Sequence, residues 1–143
     1  MTTTKLPVEA AQDILRENFA PWVQALKLSV RHTSHDSATL SMPPDASINR
    51  TGGIVCGQAL MALADTAMVI ALCATVGEFR GFPTVDVHST FMRPSSGADI
   101  IAVATVLRMG KTMAFAEARI YGEVAERPLI ANMLGSYVVP PPA

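Results

Sequence analysis

From Ala59 to Val76 every position is apolar except Asp65, Thr66 and Thr75. A run of this length is either a helix buried at the centre of a fold or a membrane span. Alanines at 59, 62, 64, 67, 71 and 74 favour helix and leave little side-chain bulk, so strands can pack closely around it. An Asp near the middle of a span costs about 3 kcal/mol even on a lenient insertion scale. No basic cluster flanks the run, and strand-like sequence follows it. The expected element is therefore a core helix over about 56–76, closed by Gly77 as a left-handed cap. An unpaired carboxylate in such a helix is costly. Either Asp65 does chemistry, or it caps a second helical segment, since Asp-Thr can start one. The residues alone leave both open.

The rest of the composition narrows the class. The chain has 143 residues, half of them apolar and only 16% charged. One domain with a real core is expected over 1–143. So apolar a small chain also points to buried subunit surfaces, hence a homo-oligomer. Its net charge is -1 and its 11 basic residues are scattered, which argues against nucleic acid as a partner. The first residues, MTTTKLPVEAAQ, lack the pattern of a secretory leader. Cys56 and Cys73, on one helix, would lie about 25 Å apart, too far for a disulfide. With no CxxC and no histidine cluster, structural zinc is not expected. A reducing, cytoplasmic setting is the expectation.

Hydrophobic periodicity orders the remaining elements as α-β-β-α-β-β-β-β. Residues 7–19 place Val8, Ala11, Leu15 and Phe19 on one face of a short helix opened by Pro7 and ended by Pro21. Leu26, Leu28 and Val30 alternate as a strand, SHDS is a turn, and SATLSM returns. PPDASINRTGG reads as a loop. After the long helix, TVDVHSTFM alternates with Val85, Val87, Ser89 and Phe91 on one face, leaving Thr84, Asp86 and His88 on the other. DIIAVATVLR, TMAFAEARIYG and PLIANMLGSYVV are three further strands joined by short turns, hence antiparallel. The only long apolar element able to cover such a sheet is the central helix, so the fold class is α+β, one sheet curled around one helix.

Asn49, Gly52, Gly57 and ALMALADTA resemble the signature of the hotdog-fold acyl-CoA thioesterases of the phenylacetate-degradation type. That signature carries an Asn, a Gly, a His-Gly-Gly at the helix start, and an Asp eight residues beyond the first Gly of the pair. Gly57 and Asp65 keep the interval of eight. The resemblance runs from about 26 to 139, through TVDVHSTFMRPSSGADI, VLRMGKTMAFAEARI and LIANMLGSYVV. It differs at three points: Cys56 stands for the His, Gln58 for the second Gly, and the Asn-to-Gly57 interval is one residue longer. The resemblance implies thioester hydrolysis without a metal or redox cofactor, by dimers often paired into tetramers. It also implies that Thr84 helps hold the attacking water and that Asn49 orients the carbonyl.

Physical chemistry supports parts of this independently. The first N–H groups of a helix lack intrahelical partners and sit at the positive end of its dipole. The Gly57 N–H is the candidate donor to a thioester oxygen gaining charge. Asp65 is eight residues on, about 12 Å along the axis. Reacting groups must approach to about 3–3.5 Å. One helix cannot supply both groups to one thioester, but two copies across a two-fold axis can. Asp65 is then a general base or a nucleophile. Cys56 is a catalytic-site candidate as a small residue shaping the helix start, since no histidine is placed to activate it as a nucleophile. Gln58 is a substrate-binding candidate. Arg93, Arg108 and Lys111, read as lying at adjacent turns, are candidates for the phosphates of coenzyme A. Two other functions fit the pattern less well: a hotdog-fold hydratase or dehydratase, and a non-catalytic acyl-CoA-binding protein.

Overall fold

In the computed structural model, residues 4–142 are described. Two helices, α1 (Val8–Asn18) and α2 (Pro21–Gln24), precede strands β1 (Ser29–Thr33) and β2 (Ser37–Met42). A two-stranded hairpin, β3 (Asn49–Arg50) and β4 (Ile54–Val55), leads into α3 (Gly57–Val76). Strands β5 (Thr84–Phe91), β6 (Ile100–Met109), β7 (Met113–Gly122) and β8 (Leu129–Val138) close the chain. The main sheet has the order β1-β2-β6-β7-β8-β5 and every neighbouring pair is antiparallel.

The sheet wraps α3, as the apolar run requires. Thirteen of the twenty residues of α3 are buried. Leu63, Met68, Ile70 and Leu72 lie fully inside, each such burial stabilising by about 1.5–3 kcal/mol. The sheet answers the alanines of α3 with its own: Ala38, Ala102, Ala104, Ala114, Ala116 and Ala118 line the inner face with almost no exposed surface. Small residues on both sides let the two layers close without voids. Gly77 ends the helix with φ +85°, and its N–H donates to the Cys73 carbonyl at 2.7 Å. That backbone region disfavours any side chain.

Several local expectations change. Pro7 is the N-cap of α1 rather than its first residue, and the helix stops at Asn18. Pro21 does not end it but opens α2, where its fixed φ suits a first helical position. Leu26 precedes the first strand in a turn containing Lys27 at φ +57°. The loop over 43–53 holds a short helical turn, Ala46–Ile48, and strand β3, which pairs with β4 just beyond it. In β5 a bulge between Thr84 and Asp86 breaks the expected alternation. Val87, Ser89 and Phe91 stay on the inner face, opposite Gly135, Met133 and Ala131. Thr84 joins them, opposite the buried Tyr137, and Val85 is pushed out, 55% exposed.

The two edges of the sheet are treated differently. At β1, the Gln12 side chain clips α1 to the strand. Its amide donates to the Leu28 carbonyl at 3.2 Å and accepts from the Val30 N–H at 2.8 Å. At β5 the outer edge has no neighbouring strand among the described residues, and Val85, Phe91 and Met92 are exposed along it.

Candidate active site

Asp65 is the ninth residue of an unbroken α3, so it caps no second helical segment. Two hydroxyls hold its carboxylate. The Thr84 hydroxyl donates to Oδ1 at 3.1 Å and is 3.4 Å from Oδ2. The Tyr137 hydroxyl donates to Oδ1 at 2.8 Å. Thr84 reaches Asp65 because of the bulge, which turns its side chain to the helix side of the sheet. Strict alternation would have sent it outward with Asp86 and His88. Tyr137 is fully buried. Burial, then the charge of Asp65 and the hydrogen bond to it, push its phenol well above the ordinary tyrosine range, so it remains a donor.

The carboxylate opens into a cleft of about 310 Å³ lined by Phe19, Trp22, Gln58, Met61 and Val87 among others. Gln58, Met61, Ala62 and Asp65 follow one another at helical spacing along one stripe of α3. The α1–α2 corner forms the facing wall, with Trp22 62% exposed at the mouth.

Gly57 belongs to a different cleft, of about 490 Å³, lined by Arg50, Leu60, Phe91, Met92 and Arg93 among others. The Phe91 ring lies 3.3 Å from where a Gly57 Cβ would stand. A side chain there would press on that ring. The β3–β4 hairpin anchors the start of the helix, since the Cys56 N–H donates to the Ile48 carbonyl at 2.9 Å. Asn49 sits in that hairpin opposite Val55, exposed and lining neither cleft. Cys56 is the N-cap of α3, makes no side-chain cap, and also lines neither cleft. Cys73 is a core residue whose thiol burial pushes up to about 11.

The three basic candidates do not lie at adjacent turns. Arg93 donates to the Leu129 carbonyl at the start of β8. The turn carrying Lys111 adjoins the end of β8, where the Val139 N–H donates to the Thr112 carbonyl. Those ends are separated by the length of β8, roughly 30 Å at about 3.3 Å per residue. β5 pairs with β8 and not with its sequence neighbour β6, so the connection after β5 and the β6–β7 turn fall at opposite ends of the sheet.

The structure thus brings Asp65, Thr84 and Gln58 together and places Gly57 with Arg93. Sequence reasoning missed Tyr137, Trp22, Phe19 and Arg50. A signal existed for Tyr137. A tyrosine on the inner face of a strand needs a partner for its hydroxyl, and the central helix offers one carboxylate. Trp22 and Phe19 depend on how the α1–α2 corner folds over α3, which no local pattern specifies.

Comparison with known proteins agrees with this architecture. Residues 52–127, more than half of the chain, match the sequence profile of the thioesterase superfamily. A zebrafish thioesterase superfamily member 2 superposes with a TM-score of 0.83 at 23% identity, covering 94% of this chain and 99% of that one. The PaaI protein of the E. coli phenylacetic acid degradation operon superposes with a TM-score of 0.73 at 23% identity, over 82% and 86% of the two chains. A Thermoplasma acidophilum protein whose name suggests an esterase is 25% identical over 96 residues, 67% of this chain and 72% of its own. The chain belongs to the thioesterase superfamily, and its fold is the hotdog arrangement of a sheet wrapped around one helix. Membership supports a thioester hydrolase in general terms.

Proposed function

We propose that this protein is an acyl-CoA thioesterase acting as a dimer paired along β5, with two equivalent sites. One observation carries the reading. The carboxylate of Asp65 and the helix-start N–H of Gly57 open into two separate clefts of one chain, about 12 Å apart along α3. Antiparallel pairing of β5 with its own copy sets the Phe91 end of one strand beside the Thr84 end of the other. The Gly57 cleft of one protomer then meets the Asp65 cleft of the next. The same pairing brings Arg93 of one chain towards Arg108 and Lys111 of its partner, so the basic residues separated within a chain converge between chains. With Arg50, they suit the phosphates of coenzyme A.

In this site Asp65 delivers an oxygen nucleophile to the carbonyl carbon, either its own or that of a water it deprotonates. The Thr84 hydroxyl orients the carboxylate and the water. The Gly57 N–H receives the developing oxyanion. The carbon–sulfur bond breaks. Where water attacked, the thiolate takes the proton that Asp65 removed; where Asp65 attacked, water hydrolyses the acyl–Asp65 anhydride and supplies that proton. The free acid then leaves from the apolar cleft beside Trp22. Asn49 and Cys56 shape the helix start without touching the reacting atoms.

The test is a panel of short, medium, long and aromatic acyl-CoA substrates, read by a thiol reagent, with wild type against Asp65→Asn. Wild type is expected to release thiol from at least one substrate. The variant is expected to be slower by about 100-fold or more in kcat, with an unchanged circular dichroism spectrum. Hydration of an enoyl-CoA with no thiol release overturns the reading in favour of a hydratase. Binding without release, indifferent to Asp65→Asn, overturns it in favour of a carrier.

A further inference from the structure

We propose that Tyr137 is a positioning residue for Asp65, and that Gly135 exists in β8 to seat its ring. This rests on the thioesterase reading for its kinetic consequences but not for its geometry. Tyr137 and Gly135 are two residues apart on one strand, so both face α3. A Cβ built on Gly135 would stand 2.7 Å from Cε2 of Tyr137, 2.9 Å from its hydroxyl oxygen and 3.1 Å from Cε of Met68. The ring therefore folds back along its own strand into the volume a side chain at 135 would fill. A glycine inside a central strand weakens that strand, and a close approach is one of the reasons it is kept. On the β7 side the neighbours are nearly as small: Ala114 stands opposite Tyr137 and Ala116 opposite Gly135, both essentially buried. In this slot the hydroxyl emerges at 2.8 Å from Oδ1 of Asp65.

Two donors now divide the carboxylate unequally. Tyr137, out of solvent, holds Oδ1. Thr84, exposed at the strand end, donates to Oδ1 and lies near Oδ2. Oδ2 is left with the freer lone pairs, and in this scheme it is the oxygen that acts. A hydrogen bond from a buried neutral donor to a charged acceptor fixes orientation more firmly than one from a solvated hydroxyl. Tyr137 touches no substrate atom in this scheme and acts only through Asp65.

The decisive variants are Tyr137→Phe, which keeps the ring and removes the hydroxyl, and Gly135→Ala, which pushes the ring off its seat. On a substrate that wild type hydrolyses, Tyr137→Phe should lower kcat by about 10- to 100-fold, the loss of one hydrogen bond to a charged group, with KM within about two-fold. Gly135→Ala should lower kcat in the same direction. Combined with Tyr137→Phe it should add little, because both remove the same interaction, whereas unrelated packing damage would add fully. Full kcat in Tyr137→Phe, or additive losses in the double variant, overturns the assignment. A second measurement needs no activity: the proton NMR spectrum should hold an exchange-protected hydroxyl resonance that disappears in Tyr137→Phe and shifts in Asp65→Asn. If wild type hydrolyses nothing, the thioesterase reading falls, and this resonance decides the positioning claim alone: its shift in Asp65→Asn upholds it, and its absence or indifference sinks it.

Discussion

The two clefts on either side of α3 are built from the same helix yet hold opposite chemistry. The cleft at Asp65 is apolar, with one carboxylate on its floor and the α1–α2 corner as its wall. The cleft at Gly57 carries two guanidinium groups, from Arg50 and Arg93, at the positive end of the helix. The first suits the hydrocarbon end of an acyl thioester and the attack on it. The second suits a growing oxyanion and a polyanionic leaving group. In the proposed dimer neither is complete alone. The edge strand β5 carries Thr84 at one end and Phe91 at the other, so it borders both clefts. A chain with one complete site would have no need of this division.

The sharpest way to break the comparison is complementation. Gly57→Pro deletes the helix-start N–H at a first helical position, where proline is tolerated, and Cys56 already has the extended backbone a following proline favours. The new ring presses on Phe91, so sedimentation must first show that the variant still dimerises. Asp65→Asn and Gly57→Pro homodimers should each be inactive. Mixing and reassembling them equally should restore about a quarter of wild-type activity, because half the dimers are mixed and each has one intact site. No recovery would mean that both groups act within one chain.

The next largest effect concerns the edge. His88→Asp with Thr90→Asp, beside Asp86, would set carboxylates of one strand against those of its copy. Sedimentation should show monomers, and turnover should be lost although Asp65 and Gly57 are untouched. Thr84→Ala should be milder, about ten-fold in kcat with little change in KM. Mildest of all, Trp22→Ala should raise KM a few-fold, about that lost with part of a buried aromatic contact, for long or aromatic acyl groups and hardly at all for acetyl-CoA. Equal effects on all acyl lengths would remove the α1–α2 corner from the acyl site.

Much of this molecule was legible in its residues. The alanine-rich apolar run, interrupted by Asp65, reads as a core helix, and it spans Gly57–Val76 against an expected 56–76. Four alternating segments with short turns read as an antiparallel sheet around it, although β5 pairs with β8 and makes no hairpin with β6. Asp65 stood out because a charge in such a run demands a reason. These readings succeed because period and burial are local properties, written in consecutive side chains.

Other features were decided only by tertiary structure. Thr84 faces Asp65 through one extra residue in β5, and a bulge is set by pairing with β8 rather than by the strand's own pattern. Tyr137 meets Asp65 across 72 positions of sequence, in a slot left by Gly135. Arg93 and Lys111 lie at opposite ends of the sheet because strand order and direction, not sequence proximity, place the turns. A chain's local preferences specify which face each residue shows, but which distant residue it meets depends on how the layers close, and that closure is a property of all the elements together.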